Sequence, residues 1–272
     1  MPATQARLEA TRLASDIVGA RRRDRFYLLL CLAMTCTVFV GFSFTYFTPI
    51  ARGTYAPVPP IVHVHGWSFF AWYLLLPLQA GLVRTRRVAT HRTLGMASIA
   101  LAAVMILAGV IVSVVRIDET RQADGDPFWQ IMALPIFAVW VLFTVFYIAA
   151  VQRRRRIDEH KRLMILASAV ALAAATFRIV VQVVAFSPWT AAVGILVCTT
   201  FPVAGMLHDV RRRGSVHPVY GWGVTATLLV VIGTFLLGDT AAGDVLEGGL
   251  GAVGEAVRPL YYAGRDALGA VR

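Results

Sequence analysis

The chain has 272 residues, of which 58% are apolar and only 15% charged, and its mean hydropathy is +0.68. A soluble globular domain sits near 45–50% apolar and about 25% charged, so the composition argues against one and for a continuous membrane bundle. The net charge of +11 is almost wholly arginine, Lys161 being the sole lysine. These arginines gather in short loops between apolar runs, the distribution that sets membrane orientation, and nucleic acid is discounted as a partner on that ground.

Residues 1–25 carry Leu8, Leu13, Ile17 and Val18 ahead of Arg21, Arg22 and Arg23. The spacing predicts a loosely amphipathic cytoplasmic segment, and the absence of an apolar region before the basic cluster argues against a cleaved signal peptide. A first span is predicted from Phe26 to Phe47. Pro49, Pro57, Pro59 and Pro60 then forbid a membrane-embedded helix in the connector. The second span, Pro60 to Arg84, is nearly all apolar and long enough to cross a hydrocarbon core of about 30 Å. Its opening turns nonetheless hold His63, His65 and Trp67.

A third span follows at Leu94 to Val115, then a polar connector, RIDETRQADGDP. The fourth, Phe128 to Val151, leads into the densest charge run, RRRRIDEHKR at 153–162. The fifth occupies Leu163 to Phe186, the sixth Thr190 to Leu207 and the seventh Val219 to Leu237. The basic groups at 21–23, 84–92, 153–162 and 211–213 all fall on one side of such a seven-span alternation. The expectation is therefore an all-α, polytopic seven-transmembrane helix bundle over 26–237, N-terminus cytoplasmic and C-terminus outside, in a bacterial inner membrane. The tail at 238–272 is rich in glycine and too broken to span. Leu246, Leu250, Val253 and Val257 recur at helical intervals, which predicts at most a short helix at the outer interface.

Cys31, Cys36 and Cys198 lie inside apolar runs without CxxC spacing, so neither a disulfide framework nor structural zinc is expected. Other polar groups fall in two layers. In the outer one, His63 and His65 lie roughly 3–6 Å inward from the start of their span. Tyr46, Thr45, Trp129, Gln130, Arg178 and Gln182 share that layer. A guanidinium in hydrocarbon costs several kcal/mol unless it snorkels or finds a partner, and no acidic residue lies at membrane depth in any predicted span. Arg178 thus either snorkels, joins a buried network, or binds an anion: a ligand carboxylate, a phosphate or a haem propionate. His63 and His65 are about 200° apart on a helix, so one ion cannot use both unless that turn is irregular.

The second layer holds His91, His160, His208 and His217 at the predicted cytoplasmic edge, beside Asp158, Glu159 and Asp209. Such a set is the kind that would hold transition ions or haem b if the separate helices converge. Loop solvation and salt bridging is the competing reading. The two layers are a bilayer thickness apart, so a site built on His65 excludes His160. No HExxH, phosphate-binding loop, GxGxxG or GxSxG occurs.

HRTLGMASIALAAVMILAG at 91–109 and DEHKRLMILASAVALAAATFRIV at 158–180 together resemble the multi-pass bacterial membrane proteins grouped as domain of unknown function 2306. The matching positions are His91, Arg92, Leu94 and Gly95, then His160, Met164 and Arg178, with HVHGWSFFAWYLLLPLQ at 63–79 preceding them. The resemblance spans about residues 60–210. It implies a multi-pass fold and no particular reaction. Histidines at helix ends put a haem- or metal-binding redox protein first among functions. The alternatives are a transporter, receptor or sensor with an outward-facing pocket around Arg178, and an accessory subunit of a membrane complex. The partners expected are the lipid bilayer, a small anionic molecule and other membrane subunits.

Overall fold

The computed structural model describes residues 25–122 and 127–264; the amphipathic segment expected over 1–25 lies outside them except for Arg25. Among the described residues every element is helical. They are α1 (Phe26–Phe42, prolonged by a π-helical turn Ser43–Phe47 and a last turn Thr48–Ala51), α2 (Pro60–Arg84), α3 (Val88–Gln122) and α4 (Pro127–Gln152). Then come α5 (Ile157–Ala171), α6 (Ala173–Val183), α7 (Pro188–Leu196), α8 (Thr200–Arg213), α9 (Pro218–Gly238) and α10 (Ala241–Tyr262). A 3₁₀ turn, Val197–Thr199, joins α7 to α8 as one apolar rod. Among the described residues six helices are long and apolar enough to cross a membrane, and the pair α5–α6, bent by 44°, makes a seventh if it is one span. The chain is an all-α polytopic bundle.

Prolines and polar caps shape these elements. Pro60 opens α2 at a position where the missing N–H costs nothing. Pro77 lies inside α2 and removes the bond that the Tyr73 carbonyl would have received. Thr35 Oγ1 of α1 donates to that freed carbonyl at 2.6 Å, so the orphaned acceptor is satisfied by the neighbouring helix. Ser187 and Thr190 form a reciprocal capping box on α7. At the bend between α5 and α6, Tyr73 Oη donates to the Ser168 carbonyl at 2.5 Å and Trp72 Nε1 to Ser168 Oγ at 3.2 Å. Two residues of α2 therefore hold the broken span in place.

The core lies between α1, α2, α4 and α5, around Met34, Phe70, Tyr73, Phe143, Leu166 and Leu172, all but inaccessible. At the end carrying the basic loops, Arg162 (2% exposed) and Asp209 (1%) form a buried pair joining α5 to α8. Arg162 Nε donates to Asp209 Oδ2 at 2.8 Å, and Nη1 to the Asp158 carbonyl at 2.6 Å.

Two helices are longer than expected. The helix that carries the third span extends beyond 94–115: α3 has 35 residues, about 52 Å at 1.5 Å each, and takes up more than half of the predicted polar connector. In the tail the helix is not short, because α10 runs for 22 residues. Its glycines serve close packing instead. A Cβ on Gly254 would fall 2.1 Å from the Val114 carbonyl oxygen, so this face of α10 sits directly on α3. Arg258 pairs with Asp118, and Tyr262 Oη donates to Glu119. The polar residues past 115 are thus matched by charges on α10.

Candidate functional site

A cavity of about 580 Å³ opens at the bundle end opposite the basic loops. Three backbone irregularities shape it. The π turn of α1 presents Thr45 and Tyr46; single π turns inside α-helices recur at functional sites. The α5–α6 bend presents Arg178, and the small residues Ala171, Ala173 and Ala174 leave the floor open. On the far wall, Trp140 lies so close to Gly109 that a Cβ there would meet its ring at 2.2 Å. Trp140 Nε1 donates to Ser113 Oγ at 3.2 Å, fixing the indole.

Arg178 is half-buried and makes only neutral contacts. Its Nε donates to Thr45 Oγ1 at 2.9 Å and its Nη1 to the Ala174 carbonyl at 2.8 Å, while the guanidinium lies 4.3 Å from the Phe42 ring centroid. Among the described residues no carboxylate pairs with it. A guanidinium carries five N–H donors, and Nη2 donates to no described residue. The head group turns onto α1 and the Phe42 ring.

The outer-layer set comes together in part. Tyr46, His65 and Arg178 all line the cavity. His65 meets Trp140 edge-on at 5.4 Å. His63 sits behind Tyr46, with Tyr46 Oη and His63 Nδ1 3.1 Å apart. Gln130 does not line this cavity but a neighbouring one of about 610 Å³, together with Arg121, Asp239, Asp244 and Glu247. Gln182 is exposed in the last turn of α6 and lines neither.

Sequence reasoning missed Tyr55, Ser113, Arg116, Trp140 and the pair Tyr261–Tyr262, all of which line the cavity. By sequence Arg116 belongs to the polar connector. It stands on α3, donates to Glu119 Oε2 at 2.9 Å and lies 5.8 Å from the Trp129 ring centroid. The adjacent tyrosines following a helical apolar repeat were the one usable signal for the α10 contribution.

The basic-end histidines do not converge. His91 Nδ1 accepts from the Gln79 side chain at 2.7 Å, with the amide turned so that its oxygen accepts from the Gly95 N–H. His160 Nδ1 is bonded to the Ala150 carbonyl at 2.8 Å, which makes it a donor. The His208 ring stacks on Phe26 at 4.0 Å. His217 caps α9, its Nδ1 accepting from the Val219 N–H at 3.2 Å. The carboxylates are also engaged: Asp158 by Lys161 and Arg162, Glu159 by Arg153 and Arg156, Asp209 by Arg162. Among the described residues no group of three or more His, Cys, Asp or Glu is placed to hold a metal ion. His91 and His160 stand close enough to act on each other electrostatically, yet each of the four histidines is taken up by a partner of its own. Among the described residues His91, His160, His208 and His217 therefore do not form one shared metal cluster.

No family model matches the chain, and no curated protein or solved structure matches it either. The class defined by fold and site is that of a membrane helical bundle with an aromatic, arginine-bearing cavity at the end away from the basic loops.

Proposed function

We propose that this chain binds a small anionic molecule with an apolar body in the cavity around Arg178, as a receptor, sensor or transporter for it. The observation that carries the reading is Arg178 itself. A cation this far from bulk water is stabilised by a counter-charge, and the described residues supply only a hydroxyl, a carbonyl and an aromatic face. An incoming carboxylate, sulfonate or phosphate would form charge-assisted hydrogen bonds with the unused Nη2 edge. Rings from Phe42, Tyr46, Tyr55, Phe69 and Trp140 favour an apolar or aromatic body. The volume falls within the range of small-molecule sites, about 300–1,000 Å³.

On the positive-inside rule, the basic end faces the cytoplasm of a bacterial inner membrane and the cavity opens outward. The motifs at 91–109 and 158–180 relate the chain to the domain of unknown function 2306 proteins. The redox reading takes second place, since the basic-end histidines already have separate partners and His65 has no second histidine facing it across the cavity.

The test is calorimetry on the full chain in nanodiscs with naphthalene-2-sulfonate and octanoate. Binding should weaken at least tenfold in Arg178→Ala, about 1.4 kcal/mol, and less in Arg178→Lys. Equal binding by the wild type and Arg178→Ala would sink the reading.

A further inference from the structure

The cavity wall carries two charged side chains among its lining residues, Arg178 and Arg116, and the two differ in one respect. Arg178 meets neutral groups only. Arg116 is neutralised on the spot: one helical turn along α3, Glu119 Oε2 accepts from its Nη1 at 2.9 Å. The other carboxylate oxygen of Glu119 is held by Tyr262 Oη of α10. Both oxygens of Glu119 are therefore engaged, and although Glu119 does not itself line the cavity, its charge is held by two residues that do, Arg116 and Tyr262. Asp118, the next acidic group, is engaged with Arg258 and Gln122 and does not line the cavity.

We infer that Glu119 makes the cavity selective for monoanions over dianions of the same shape. This rests on the anion-binding reading above. Among the described residues, two arginines less one carboxylate leave one uncompensated positive charge. A monoanion matches it. A dianion must shed a larger hydration shell, yet finds no second free cation among the described lining residues, because Arg116 is already paired and Glu119 repels the added charge. The ligand class is thus a carboxylate or sulfonate with an apolar body, rather than a phosphate monoester or a dicarboxylate. Glu119 acts here through Arg116 and through its field, as a specificity-determining residue. It does not contact the ligand.

The probes are naphthalene-2-sulfonate and 2-naphthylphosphonate, which share a body and a tetrahedral head and differ by one charge at pH 8.5. Calorimetry on the wild type in nanodiscs should show the sulfonate binding at least tenfold more tightly. In Glu119→Gln, which keeps an acceptor for Arg116 and Tyr262, that ratio should fall by about tenfold, equivalent to about 1.4 kcal/mol. In Glu119→Asp it should stay near the wild-type value. If Glu119→Gln does not fold, Arg116→Gln supplies the readout: Glu119 then stands unpaired, and sulfonate affinity should drop at least tenfold. A wild type that binds both probes equally, or a ratio unmoved in Glu119→Gln while Arg178→Ala abolishes binding, overturns the inference and leaves the anion site standing. Failure of both probes to bind the wild type overturns both.

Discussion

Arg178 and Arg162 should respond very differently to replacement by methionine, and the contrast follows from what each leaves behind. Arg178→Met removes two hydrogen bonds to neutral acceptors and a ring contact. Charged hydrogen bonds contribute roughly 1.5–3 kcal/mol each and the ring contact about 0.5–2 kcal/mol. Against this stands the desolvation of an unpaired cation, several kcal/mol. The terms nearly cancel. Nothing is orphaned either: the Ala174 carbonyl keeps its place in the α6 ladder, and Thr45 can turn back to its own helix. The expected change in unfolding free energy is within about 1–2 kcal/mol of zero, with anion binding lost. Arg162→Met instead strands Asp209, 1% exposed, without its partner. Breaking a buried pair from one side costs about 3–5 kcal/mol. Mixed-micelle unfolding followed by tryptophan fluorescence measures both variants. An Arg178→Met protein destabilised as severely as Arg162→Met would show that Arg178 is structural, and the argument for a ligand would fall with it.

Thr35→Val should destabilise by about 1–3 kcal/mol, because the Tyr73 carbonyl freed by Pro77 loses its donor. In the Pro77→Ala background the same change should cost clearly less, which a double-mutant cycle in the same unfolding assay would show. Burial, with Arg162 and Arg213 nearby, holds the His217 imidazole below its ordinary value. The folded state therefore binds fewer protons than the unfolded state, so this contribution to stability is present above about pH 6.5 and is lost as pH falls through the depressed folded value. His217→Asn, which keeps a capping side chain, should flatten that part of the stability–pH profile. In intact cells, a membrane-impermeant thiol reagent should label Thr54→Cys and spare Arg154→Cys, in a background lacking the native Cys36. The reverse pattern would invert the proposed orientation.

Helix identity was legible because a hydrocarbon-spanning run needs little more than length and apolarity. The places where it failed share a cause: interactions with elements remote in sequence. Nothing in RIDETRQ marks it as helix, since the Arg258 and Tyr262 that engage it lie about 140 positions later. The bend at Leu172 falls in an alanine run without proline or glycine, and the π turn at 43–47 has no local signature. The site was legible to the extent that depth defines it. Arg178 stood out because charge in hydrocarbon is costly wherever it points. For Gln130 and Gln182, direction around the helix axis, which depth does not specify, keeps them out of the Arg178 cavity. The four basic-end histidines likewise each meet a separate partner.

The cavity draws Thr45 and Tyr46 from the first described helix and Tyr261 and Tyr262 from the last. Its walls are therefore complete only when synthesis has reached the final helix and α10 has settled onto α3. A chain stopped after α9 would keep its candidate spans and its buried Arg162–Asp209 pair, yet lack one wall of the cavity.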